Sequence, residues 1–162
     1  MNSSNLDERN RADYSVIHKL KMSRNHQNNS GRKSEWMLRN EAYLEDVKQN
    51  PEYQLLTDGL YYKELKKGAG EESPKMFSVV TCHYKGTLIN GKEFDNSWKR
   101  GCPEAFRCRD LIAGFTSALV RMHIGDHWQV VIPASLGYGA KSSGPIPGGS
   151  TLIFEIELLG IA

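Results

Sequence analysis

The sequence predicts an α+β domain, an antiparallel sheet covered on one face by a single helix. Three observations lead there. Short β-rich segments separated by turn residues fill residues 58–162. Two of them alternate in polarity: Trp128, Val130 and Ile132 share a face of residues 127–132, and Leu152, Phe154, Ile156 and Leu158 lie opposite Glu155 and Glu157. One intervening segment has helical spacing instead, with Ile112, Phe115, Leu119 and Met122 on one face and Gly125 after its end.

Taken in order, the chain of 162 residues divides into three parts. Residues 1–33 are polar, and residues 21–33 contain no acid and one apolar residue, Met22. Such a stretch buries too little surface to offset its ordering entropy, so a flexible lead is expected, with a short helix at 14–22 as its one candidate element. Residues 34–57 are expected as an amphipathic helix and a linker. Trp36, Asn40, Tyr43 or Leu44, and Val47 recur at spacings of three and four. Ser34 is placed to cap the start, and Asn50-Pro51 to end it. One apolar stripe needs a partner surface, either the following domain or a second copy of the helix, which would make a homodimer through residues 34–50.

Residues 58–162 are the domain proper. Residues 60–65 and 77–84 read as strands, the first running into the turn-rich residues 66–70. Asn90-Gly91 marks a hairpin between residues 87–89 and 92–95. The two alternating strands and the helix complete the set, and residues 135–150 form a long glycine-rich loop of the kind that usually carries function.

Composition and motif spacing exclude several chemistries. Lys and Arg total 21 against 19 Asp and Glu, and residues 51–162 carry twelve of each, so no basic footprint for nucleic acid is visible. No window has the length and apolarity of a membrane span, and residues 1–8 have no signal-peptide core. That suggests the cytoplasm, or the cell envelope if an export signal is missing from the chain. Cys82, Cys102 and Cys108 are an odd set without a CxxC, expected as reduced thiols. No nucleophile elbow is present, and adjacent strand residues such as Cys82 and His83 point to opposite faces. His123 and His127 are four apart, but Gly125-Asp126 breaks the helix between them, so no metal site is expected. No P-loop or dinucleotide fingerprint fits the glycines.

What remains is a set of aromatic residues near turns: Tyr84, Phe94, Phe115, Tyr138 and Phe154, with Ile112 and the polar Asp95. Apolar walls with a few placed polar groups are the usual form of a small-ligand or peptide site. Around these residues the sequence resembles a known family. His83-Tyr84-Lys85-Gly86-Thr87-Leu88 and Asn90-Gly91-Lys92-Glu93-Phe94-Asp95-Asn96-Ser97 are similar to the first signature of the FKBP-type peptidyl-prolyl cis-trans isomerases. Leu111-Ile112-Ala113-Gly114-Phe115 through Gly125 resembles their helix. Val131-Ile132-Pro133 through Ala140 resembles their flap loop, and Pro145-Ile146-Pro147 through Leu159 their closing strand. The likeness covers residues 58–162 in order.

The resemblance implies an FKBP-like fold, a twisted antiparallel β-sheet wrapped over one short α-helix. It implies rotation about Xaa-Pro bonds in proline-containing peptides or unfolded proteins, with no cofactor and no metal, and inhibition by macrolides. Tyr84, Phe94, Asp95, Ile112, Phe115, Tyr138 and Phe154 are then the catalytic set, with Leu111 and Ile146 binding substrate. The Tyr138 hydroxyl and the Ile112 N–H would donate to substrate carbonyls, and Tyr84 would orient Asp95. The alternative is a proline-peptide binding module or chaperone with little catalysis. Two positions depart from the family pattern. Phe115 stands where many members have a tryptophan floor. Glu104 aligns where some have an extra aromatic wall, so one side of the pocket is expected to be more open.

Overall fold

The computed structural model describes residues 32–162. The expectations for the rest of the polar lead, including the helix at 14–22, lie outside the described residues. The chain opens with helix α1 (Glu35–Gln49), capped by Ser34, whose hydroxyl accepts from the Met37 N–H, and closed at Asn50. Then come β1 (Gln54–Thr57), β2 (Leu60–Lys66), β3 (Val79–Thr87), β4 (Glu93–Asn96), the single-turn helix α2 (Ser97–Arg100) and β5 (Glu104–Arg107). A 3-10 turn (Cys108–Asp110) leads into α3 (Ala113–Leu119). β6 (His127–Ile132), a second 3-10 turn (Ala134–Leu136) and β7 (Leu152–Ile161) complete the chain.

The seven strands form one antiparallel sheet, ordered β1-β2-β6-β7-β3-β4, with β5 also paired to β3. The alternation read from the sequence is the alternation of burial. Val80, Cys82 and Tyr84 of β3, Leu152, Phe154, Ile156 and Leu158 of β7, and Trp128, Val130 and Ile132 of β6 all join one core. α3 adds Phe115, Ala118 and Leu119 to it from the concave side. Gly114 lets α3 approach the sheet, because a Cβ there would strike Ile132.

Four details differ from the sequence reading. Residues 54–57, expected as linker, are a strand, joined to β2 by a tight turn with Asp58 and Gly59 at positive φ. β5 and α2 were not expected; each is four residues long, too short to show a period. Phe77 lies outside β3 and is 73% exposed. The 87–95 hairpin closes through a three-residue loop: the Gly91 N–H donates to Leu88 O, Leu88 pairs with Lys92, and Gly91 takes φ 84°.

The stripe on α1 faces the chain's own domain. Trp36 packs against the core, and Asn40 and Val47 are buried. Leu44 shares a shallow cleft with Tyr61 and Pro133, and Val131, the register partner of Tyr61, is fully buried. The second face of the sheet is therefore shielded at this end, which breaks the one-sided alternation expected for β6.

Candidate active site

A cavity of about 510 Å³ opens between the concave face of the sheet, the start of α3 and the 137–149 loop. Its lining contains all nine residues expected from the sequence: Tyr84, Phe94, Asp95, Leu111, Ile112, Phe115, Tyr138, Ile146 and Phe154. They come together from β3, β4, β7, the entry to α3 and the loop. Tyr84 and Phe154 point inward because inward positions on their strands recur every second residue. Gly86 stands two residues after Tyr84, and a Cβ there would collide with the Phe94 and Phe154 rings. The glycine is what lets these two rings meet.

The walls are aromatic and packed edge to face. Phe115 meets Phe154 at 5.1 Å and 79°, Phe94 meets Phe154 at 5.6 Å and 87°, and Tyr84 meets Phe115 at 5.8 Å and 86°. Such arrangements bring the positive edge of one ring to the negative face of the next. A fifth ring, Phe106, packs against Tyr84 at 5.6 Å and 62°. The sequence reading missed it and expected this side of the pocket to be more open. β5 alternates in burial, so Phe106 turns inward and supplies the wall, while Glu104 pairs with Arg100 at 3.2 Å.

One polar edge interrupts the aromatic walls. The Tyr84 hydroxyl donates to Asp95 Oδ2 at 2.5 Å, and Arg100 donates to Asp95 Oδ1 and, at 3.2 Å, to the Tyr84 oxygen. Arg100 also lies over the Tyr84 ring. Burial, and then the bond to Asp95, push the Tyr84 phenol up to about 12, so it stays a donor. Its bonds to Asp95 and Tyr84 raise the Arg100 pKa further above its already high ordinary value. Sequence reasoning missed Arg100 because its position depends on α2, a single turn stopped by Gly101 at φ 83°.

Two donors stand free at the mouth. Ile112 is the N-cap residue of α3 and its N–H takes no partner among the described residues, nor does the Tyr138 hydroxyl, on a side chain 42% exposed. Of the two histidines spaced four apart, His123 lies beside Asp126 at 3.6 Å, while His127 sits on β6 beside Glu155 and Glu157.

Comparison with known proteins agrees with this geometry. The model of the FKBP-type peptidyl-prolyl cis-trans isomerase family matches residues 70–159. The isomerase FkpA of Buchnera aphidicola is 41% identical over 124 residues, 76% of this chain and 51% of that protein. The outer membrane protein MIP of Legionella longbeachae is 41% identical over 122 residues, 75% of this chain and 52% of that protein. The chain thus spans about half the length of these curated relatives. A crystal structure of a peptidyl-prolyl cis-trans isomerase from Pseudomonas syringae superposes with a TM-score of 0.73 at 34% identity, covering 82% of this chain and 99% of that one. With a family match over most of the domain, and with the aromatic cavity where that family's motifs fall, the chain belongs to the FKBP-type peptidyl-prolyl cis-trans isomerase family.

Proposed function

We propose that this protein catalyses rotation about Xaa-Pro bonds in peptides and unfolded proteins, with residues 58–162 as the isomerase domain. The observation that carries the reading is the joining of five aromatic rings with two free donors in one cavity. Amide resonance opposes rotation with a barrier of about 18–20 kcal/mol. A twisted amide has lost that resonance and its charge separation, so an apolar cage favours it over the planar form. Phe94, Phe106, Phe115 and Phe154 grip the pyrrolidine ring. The Ile112 N–H and the Tyr138 hydroxyl hold the flanking carbonyls, Leu111 and Ile146 line the approach, and the chain N-terminal to proline turns. Asp95 has both oxygens engaged by Tyr84 and Arg100, so it acts as a fixed charge at the pocket edge and not as a proton carrier. No bond is made or broken, and a tenfold gain needs only about 1.4 kcal/mol of differential binding.

A pure proline grip needs only apolar walls. The Tyr84–Asp95–Arg100 network therefore favours the isomerase over a binding module with little catalysis. The test is protease-coupled isomerisation of Ala-Leu-Pro-Phe by the wild type, Asp95→Ala and Tyr138→Phe. A rate above background that falls in both variants supports the reading, and a folded wild type with no rate overturns it.

Macrolides of the rapamycin type would enter the same cavity with altered affinity over the smaller Phe115 floor, and Phe115→Trp should raise that affinity. Self-association through residues 34–50 would have to use what α1 leaves outside, chiefly Leu38, 46% exposed. Sedimentation of Leu38→Ser tests it. For location we favour the cell envelope over the cytoplasm, on the name of the MIP relative; among the described residues no helix is long and apolar enough to cross a membrane. Cell fractionation decides between the two.

A further inference from the structure

Helix α1 precedes the isomerase domain, yet its stripe contains a buried asparagine. Asn40 is 2% exposed. Burying an amide costs free energy unless its donors and acceptors are paired, so its partners identify its purpose. Its Nδ2 donates to Trp36 O at 2.7 Å, and its Oδ1 accepts from the Thr151 N–H at 2.7 Å. One turn earlier, Trp36 Nε1 donates to Ser150 Oγ at 2.8 Å, and Ser150 Oγ donates in turn to Pro147 O. Ser150 and Thr151 are 3% and 1% exposed, so these bonds are sheltered from competing water. Met37 lies against Gly149 so closely that a Cβ there would collide with its side chain.

These contacts meet the 137–149 loop at its base, and two short tracks run from there to the cavity. Ser150 holds Pro147, the neighbour of Ile146, which is 4% exposed and lines the pocket. The Gly149 N–H donates to Gly139 O at 2.9 Å, and Gly139 follows Tyr138. The loop is otherwise held by its own bonds, such as the Ser143–Ile146 bridge and the Gly139 N–H to Ala134 O. Among the described residues, neither α2 nor α3 is hydrogen-bonded to its base.

We propose that α1 is a positioning element for the substrate loop: Trp36 and Asn40 clasp Ser150 and Thr151, and so set where Tyr138 and Ile146 stand over the proline pocket. The inference rests on the isomerase reading for its kinetic consequence, but not for its structural one. It also explains why a polar residue occupies the stripe. A single buried amide fixes the register of a helix on its partner surface in a way an apolar side chain does not.

The experiment uses the full chain with Trp36→Phe, which keeps an aromatic side chain there and removes the indole N–H bond to Ser150 along with part of the ring's packing. The control is Val47→Ala on the same helix, 5% exposed and remote from the loop contacts named above. For Trp36→Phe we expect KM for Ala-Leu-Pro-Phe to rise about fivefold, the equivalent of one lost hydrogen bond, with kcat nearly unchanged. The Gly149 amide should exchange with deuterium faster than in the wild type. Val47→Ala should lose stability while keeping the wild-type KM and the wild-type Gly149 exchange. Asn40→Ala should give a larger effect in the same direction as Trp36→Phe, since it also strands the Thr151 N–H. If Trp36→Phe matches Val47→Ala in both KM and Gly149 exchange, α1 is structural ballast and the proposal is wrong. A wild type without isomerase activity defeats the kinetic reading alone, and Gly149 exchange still decides the clasp.

Discussion

Two of the clefts on this domain are nearly equal in size, and their difference shows what makes a site. The aromatic cavity is about 510 Å³, and a second cleft of about 520 Å³ lies between β2, the start of β6 and the turns after α3. The second also has an aromatic floor, Tyr62 stacked on Trp128 at 4.2 Å. Its rim, however, mixes Lys67, Arg121 and His123 with Glu64 and Glu71. Its most buried carboxylate is already consumed: Asp126 accepts from the Gly68 and His123 N–H groups at 2.7 and 2.8 Å. Volume is shared, but unengaged donors facing an apolar cage belong to the aromatic cavity. In the second cleft polarity closes loops; in the first it is left available to a ligand.

That contrast can be broken by mutation. The largest effect should come from Trp128→Ala, at 5% exposure, with a loss of about 3–5 kcal/mol in urea unfolding. Its isomerase rate, measured where the variant is still folded, should match the wild type. A fall in rate would mean the two clefts are not separate. Asp95→Ala should do the reverse, lowering kcat/KM roughly tenfold or more while costing less than about 2 kcal/mol of stability. Removing the Tyr138 hydroxyl is milder: Tyr138→Phe should reduce kcat/KM by about fivefold and shift stability by no more than about 0.5 kcal/mol, because that hydroxyl has no partner among the described residues.

The smallest effects concern protons. The Tyr84 phenol is raised from 10 to about 12, and burial pushes the Cys82 thiol from 9 to about 12. A pKa raised on folding gives stability that is complete below the unfolded value and is lost as pH climbs to the folded one. Unfolding experiments should therefore show a decline beginning near pH 9 and continuing to 12. In Tyr138→Phe, where Tyr84 is the remaining phenol of the cavity lining, activity should cross pH 10 without the step that an ordinary tyrosine would give. At neutral pH a disulfide reagent should react with the exposed Cys102 and reach Cys82 and Cys108 only after unfolding.

Much of this was legible in the sequence because it is periodic or local. Alternation in β6 and β7 placed Trp128, Val130, Phe154 and Ile156 in the core, since a strand has only two faces. Ser34 and Asn50 bounded α1 through bonds to groups a few residues away. The nine pocket residues were legible for a different reason, as positions in motifs that resemble the family. Phe106 and Arg100 were not legible, because each sits in a four-residue element whose direction is set by pairing with β3 or by the turn at Gly101.

The partner of α1 marks the boundary most clearly. The spacing of Trp36, Asn40 and Val47 determined that a face would be buried, and left open whether the domain or a second copy would bury it. Only the fold brought Ser150 and Thr151, more than a hundred residues later, within 2.8 Å of that face. The sequence by itself determined strand and helix periods, caps, turns and the chemistry of the cavity lining, all consequences of near neighbours along the chain. The tertiary structure decided the fifth aromatic wall, the arginine on Asp95 and the bonds from α1 to Ser150 and Thr151. Contacts between distant residues depend on how the whole sheet twists and pairs, and no local period encodes that.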